Sequence, residues 1–166
     1  MIQFLSVTVF PALMIIAGAG DALSMRIPNW LTALIALTFF PMAVMTAMPL
    51  DVLGLHLLVG IAMFVLGFAL FALGLFGGGD AKLLAAAGLW IGWPDLVPFL
   101  VLTAFAGGVL ALCVGLWSAV NFASEVEDGR IFRHLGSIKP NVPYGYAFAI
   151  GAILAFPQSW WMPPAA

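Results

Sequence analysis

Six apolar runs separated by short breaks make up most of this sequence: residues 2–23, 29–48, 52–75, 80–93, 96–122 and 142–160. Most approach the length of about 20 residues that an α-helix needs to cross a hydrocarbon layer about 30 Å thick. A backbone in hydrocarbon has no water to bond, so such runs fold as helices that satisfy their own N–H and C=O groups. Charged residues are only 7% and hydrophobic ones 64%, against about 25% charge in a soluble domain. Mean hydropathy is +1.18. The reading is therefore all-α: a polytopic membrane protein, a bundle of about six transmembrane helices, with residues 1–166 as one domain. The first basic residue, Arg26, follows the first apolar run, so that run reads as a retained helix and not as a secretory signal.

The breaks carry the polar residues. Arg26 and Pro28 end the first helix, and Pro49 ends the second. Asp51 and Asp95 stand where the third and fifth helices want N-caps. The fourth run would cover only about 20 Å, so it is expected to be tilted or to begin as a re-entrant piece facing a wet cavity. Residues 124–139 are the one extended polar stretch and read as a solvated loop, with Ile131, Phe132 and Leu135 touching the interface. Trp160 and Trp161 read as an interfacial anchor. All five basic residues, Arg26, Lys82, Arg130, Arg133 and Lys139, fall in the loop regions near residues 24–29, 76–82 and 123–141, on one side of a six-span bundle. The positive-inside rule puts that side in the cytoplasm and both termini outside. Cys113 lies in an apolar run and reads as a small buried packing residue, and His56 as a tucked, hydrogen-bonded side chain near the interface. No HExxH motif or cysteine cluster offers a metal site. A net charge of −2 without a basic run argues against nucleic acid.

Two acids stand out. Asp80 follows Gly77, Gly78 and Gly79 and precedes Lys82, and Asp21 closes the first apolar run. A charge at membrane depth costs about 2.5 to 3.5 kcal/mol on insertion scales and usually faces a polar interior. Both fall on the predicted cytoplasmic side. Brought together in a low-dielectric pocket, two carboxylates share a proton and titrate as a pair. The ionised member can then take a proton from water as it attacks a peptide carbonyl, while the protonated member hydrogen-bonds to the carbonyl oxygen. The glycines would let an extended substrate strand come close to the backbone. A plainer reading has each acid capping a helix and the glycines serving close helix packing. Lys82 either eases the ionisation of Asp80 or reaches toward headgroups. A proton-coupled carrier would use the same two acids as a relay, although the internal repeats common in carriers are not seen.

Three motifs in order then resemble a known family: Asp21 followed by Arg26-Ile27-Pro28-Asn29, Gly77-Gly78-Gly79-Asp80-Ala81-Lys82-Leu83-Leu84, and Val142-Pro143-Tyr144-Gly145. Together, over residues 18–151, they are similar to the type IV prepilin peptidases, the GxGD membrane aspartyl proteases. The resemblance implies that Asp21 and Asp80 are catalytic. It also implies that Arg26, Pro28, Asn29, Gly77, Gly78, Gly79, Lys82, Pro143, Tyr144 and Gly145 shape the site or bind substrate. The implied substrate is a prepilin or pseudopilin, cut just cytoplasmic of its hydrophobic helix in the bacterial inner membrane, with no metal or organic cofactor. Longer members carry a cytoplasmic segment with paired cysteines and methylate the new N-terminus. This chain has one cysteine and no such segment, so methylation is not expected, and its compact form looks like the peptidases of Flp-type tight-adherence pili. An inactive assembly subunit with the same fold would read alike.

Overall fold

The computed structural model of the protein describes residues 2–93, 95–127 and 143–162. Among them are six α-helices: α1 (Ile2–Ser24), α2 (Asn29–Met45), α3 (Leu50–Ala72), α4 (Gly78–Ile91), α5 (Leu96–Glu127) and α6 (Tyr144–Ala155), the last followed by a 3₁₀ turn, Phe156–Gln158. Each expected run has its helix, and the described residues contain no strand. Three helices, α1, α3 and α5, contain stretches long and apolar enough to cross a membrane, and α2 is a shorter apolar helix. Helices α4 and α6, with 14 and 12 residues, rise only about 21 and 18 Å. The protein is an all-α membrane protein.

In hydrocarbon, helices gain little from hiding apolar surface from water, so close backbone approach does much of the packing. Helix α4 packs chiefly on α3, and α6 on α1 and α5. The α3 to α4 contact is tight at Gly67, where a Cβ would sit 2.9 Å from the Ala81 backbone. The α1 to α6 contact is tight at Gly18, where a Cβ would sit 2.7 Å from that of Ala149.

At the end of the bundle far from the two acids lies an aromatic core. The Trp90 ring stacks on Phe10 at 5.1 Å and lies 4.8 Å from that of Trp161. Its Nε1 donates to the carbonyl of Ile35, and Trp161 Nε1 donates to the carbonyl of Trp90, both at 2.7 Å. A buried donor left without such a partner would cost about 1–3 kcal/mol. His56 is wholly buried beside them, as expected of a tucked histidine, with Nδ1 2.8 Å from the carbonyl of Leu89.

Trp161 is 2% exposed and belongs to the core, so of the two tryptophans only Trp160 reaches the surface. Asp51 is not the N-cap of α3, because Pro49 holds that place and no side-chain cap bond is made. Asp51 lies instead in the first turn, where its charge still faces the positive end of the helix dipole. Asp95 does precede α5, and its carbonyl accepts the amide of Phe99. Cys113 is exposed on α5, not buried. Helix α5 also runs on to Glu127, past the expected end at 122. The rest of the polar loop, with Arg130, Arg133, Lys139, Ile131, Phe132 and Leu135, lies outside the described residues, as do Val142 and Pro94.

Candidate active site

Asp21 sits one turn before the end of α1, where a carboxylate faces the negative end of its own helix dipole. Capping of α1 therefore does not account for it. Its partner lies in another helix: Oδ2 accepts the amide of Gly145 at 2.8 Å, with the amide of Tyr146 beside it. Both amides belong to the first turn of α6; that of Tyr146 also donates to the carbonyl of the N-cap Pro143 at 3.2 Å, and that of Gly145 has no acceptor within the helix. The chain thus places an acid from the end of α1 against the start of α6, a setting that favours an anion. Asp21 is 5% exposed.

Asp80 is the third residue of α4, and its Oδ2 accepts the amide of Gly77, the N-cap of that helix, at 3.1 Å. The structure therefore gives Asp80 the contact a capping acid would make. It also gives Asp80 a neighbour that a cap does not need, for Asp21 lines the same cavity. Two short helices, α4 and α6, begin here: the N-cap amide of α4 bonds that helix's own Asp80, and the Gly145 amide of α6 bonds Asp21.

Both acids line a cavity of about 520 Å³ together with Arg26, Pro28, Asn29, Gly77, Gly78 and Gly79. Three segments of the sequence-level candidate site, the end of α1, the loop before α2 and the start of α4, so enclose one space. The remaining candidates are arranged around it. Pro143 is the buried N-cap of α6. Gly145 closes against the site from α6, where a Cβ would fall 2.9 Å from Asp21 Oδ2 and 2.6 Å from Ile27 Cδ1. Tyr144 turns away, its ring 5.2 Å from that of Phe76, and lines a separate crevice. Lys82 also leaves the cavity: its Nζ donates to Asn29 Oδ1 at 2.9 Å, and among the described residues no ion pair joins it to Asp80.

Two residues of the cavity were not among the sequence candidates. Ile27 is 9% exposed and packs between the glycines, with a Cβ at Gly79 falling 3.1 Å from its own. The signal for it was present, as an isolated aliphatic residue between Arg26 and Pro28. Met25 lines the cavity as well and takes a left-handed φ of 53°, its amide bonded to the carbonyl of Asp21 at 2.8 Å. That turn brings the loop back across the end of α1. Among the described residues, no group of three or more His, Cys, Asp or Glu side chains is placed to hold a metal.

The arrangement offers two carboxyl groups on one cavity, fixed amide donors and room for an extended peptide. Compared with known proteins, residues 8–112 match the sequence profile described as the type IV leader peptidase family, a stretch that includes Asp21, the loop after it and the run from Gly77 to Lys82. No curated protein and no solved structure matches the chain. The matched stretch covers well over half of the sequence, and members of that family are aspartic peptidases acting on prepilin-type substrates. The chain belongs to the type IV leader peptidase family and is a membrane-bound aspartic peptidase.

Proposed function

We propose that this protein removes the leader peptide of prepilin-like substrates, of Flp type or pseudopilins, at the cytoplasmic face of the bacterial inner membrane, with Asp21 and Asp80 as its catalytic dyad. One observation carries the assignment of the dyad: carboxylates from α1 and α4, two helices far apart in the chain, line one cavity. A capping role for either acid alone does not require the other.

In this reading the two carboxyl groups share one proton. The ionised oxygen removes a proton from water as the water oxygen bonds to the scissile carbonyl carbon, and the protonated carboxyl donates to the carbonyl oxygen as negative charge grows there. The tetrahedral species then collapses with proton delivery to the leaving nitrogen, which breaks the C–N bond and restores the shared proton. No covalent enzyme intermediate forms. Amides at two helix N-termini hold the acids in place, so little rearrangement is needed during reaction. Gly77, Gly78 and Gly79 leave the cavity wall without side chains on the side where a peptide strand would lie.

The orientation follows from the basic residues. Arg26 and Lys82 lie at the end of the bundle that holds the dyad, so that end faces the cytoplasm and both termini face outward. The chain acts as one peptidase domain and carries out cleavage without N-methylation, in keeping with a single cysteine. The decisive experiment is co-expression with a candidate prepilin, with leader removal scored by mass. Loss of the leader with wild type and its retention without the enzyme supports the assignment, and an unprocessed substrate in both cases rejects it.

A further inference from the structure

A second groove, of about 540 Å³, adjoins the acidic cavity and shares Asn29 with it. Three helices line it, and each contributes positions spaced i, i+3, i+4 and i+7: residues 29 to 36 of α2, 57 to 64 of α3 and 82 to 89 of α4. That spacing is one face of a helix over two turns, so the groove is about 10 Å long and runs along the bundle. Its floor is made of small residues, among them Ala36, Gly60, Ala85 and Ala86, which let another backbone approach closely. Its sides are open, since Ile61 is 63% and Phe64 51% exposed. A body of about 10 Å diameter would therefore be held along one face and not enclosed.

At the end next to the dyad stands Lys82, among the described residues the only charged one lining the groove. Its described partner is the neutral amide oxygen of Asn29, and no carboxylate among the described residues pairs with it. A cation without a counter-charge at the mouth of an apolar groove complements a ligand that is apolar along its length and acidic at one end. We infer that this groove seats the hydrophobic helix of the substrate, with a carboxylate near the cut site received by Lys82. The inference rests on the peptidase reading for the identity of the substrate, and it adds the surface that holds the substrate during cleavage. The neighbouring crevice between α3, α4, α5 and α6, about 320 Å³, has no charged lining residue and is bounded at one end by the ring contact of Phe76 with Tyr144.

The test uses the full chain in membranes and a single-span prepilin-type protein with a glutamate in the first turn of its apolar helix. Ala33, exposed on the groove wall, and Ala104, exposed in the neighbouring crevice, accept large side chains without opening the core. Ala33→Trp should slow leader removal tenfold or more and Ala104→Trp less than about twofold, as filling a groove blocks only its own ligand. Equal effects of the two changes would overturn the inference. Lys82→Glu should lose about tenfold or more with the glutamate substrate and recover most of that with a lysine substrate, because like charges repel where opposite charges met. A loss that the lysine substrate does not repair argues against a charge-reading role and overturns that part.

Binding is read separately from activity by disulfide cross-linking from Ala33→Cys in a Cys113→Ala, Asp80→Asn background. Cross-links should recur every three to four residues along the substrate helix. Their absence, as expected if lipid fills the groove, or cross-links only between two copies of this chain, would overturn the inference. Cleavage by wild type without cross-links removes the groove and leaves the peptidase reading intact. Cross-links to a substrate that wild type never cleaves do the reverse, and failure of both readouts removes both.

Discussion

The amide of Gly145 donates to Oδ2 of Asp21 over 2.8 Å, joining residues 124 positions apart in the chain. The contact needs a residue without a side chain. A Cβ at position 145 would fall 3.0 Å from the Cβ of Asp21, 2.9 Å from its Oδ2 and 2.6 Å from Ile27 Cδ1. Gly145→Ala is therefore expected to push the start of α6 away from the end of α1 while leaving the far, aromatic end of the bundle in place. Misplacement of about 1 Å at a reacting group can cost about a hundredfold in rate. Leader removal should fall by about tenfold to a hundredfold, with the amount of protein in the membrane little changed. A variant that cleaves within about twofold of wild type would show that the contact does not position the acid.

Charge can be changed at the dyad without changing shape. Asp21→Asn and Asp80→Asn keep a carbonyl acceptor for the amides of Gly145 and Gly77, so any capping role survives with little loss. Proton transfer does not survive. Each single variant should reduce cleavage to near background, and the double variant should be scarcely worse, as for groups that act as a unit. Asp51→Asn, in the exposed first turn of α3, and Asp95→Asn, before α5, are the controls and should cleave nearly as wild type. The measurement is the mass of the substrate after reaction with equal amounts of folded enzyme. An Asp80→Asn protein working within a few fold of wild type would falsify the assignment.

Orientation is tested by reporter fusions. Those placed after Arg26 and after Lys82 should report cytoplasm, and one at Pro49, between α2 and α3, should report the outside. A cytoplasmic signal at Pro49 would contradict the arrangement in which α1, α2 and α3 cross in turn, and with it the cytoplasmic location of the cleavage site.

Stability and activity should separate at the other end of the bundle. Gly92 ends α4 with a φ of +68°, and the His56 ring fills the space where a side chain would begin. Gly92→Ala imposes both backbone strain and overpacking, for a loss of about 2 to 4 kcal/mol. Trp161→Phe removes the donor to the Trp90 carbonyl and should cost about 1–3 kcal/mol. Both changes should lower the thermal unfolding midpoint in detergent while the folded fraction keeps wild-type cleavage, because neither residue lines the acidic cavity. A selective loss of cleavage at unchanged stability would mean that the two ends of the bundle are coupled.

The sequence by itself determined six helices and their approximate ends and singled out two acids at their edges, because a membrane leaves few choices. A long apolar run must form a helix to satisfy its own backbone, a proline or a glycine run marks where it stops, and a carboxylate inside such a chain is too costly to be incidental. The faces of those helices were another matter. In water a polar stripe marks the outside of a helix, but in lipid both the buried and the exposed sides are apolar, so an apolar run does not say which side meets the bundle. For that reason Cys113 was expected inside and lies outside, while Trp161 was expected at the headgroups and lies in the core. Only the tertiary structure decided that Asp21 takes its hydrogen bond from the start of α6, that Lys82 bonds Asn29, and that Ile27 packs against Gly79 and Gly145. Each of these depends on which helix ends meet at one end of the bundle. That is set by close packing at positions such as Gly18 and Gly67, where the partner that fills the space belongs to another helix and leaves no local trace in the sequence.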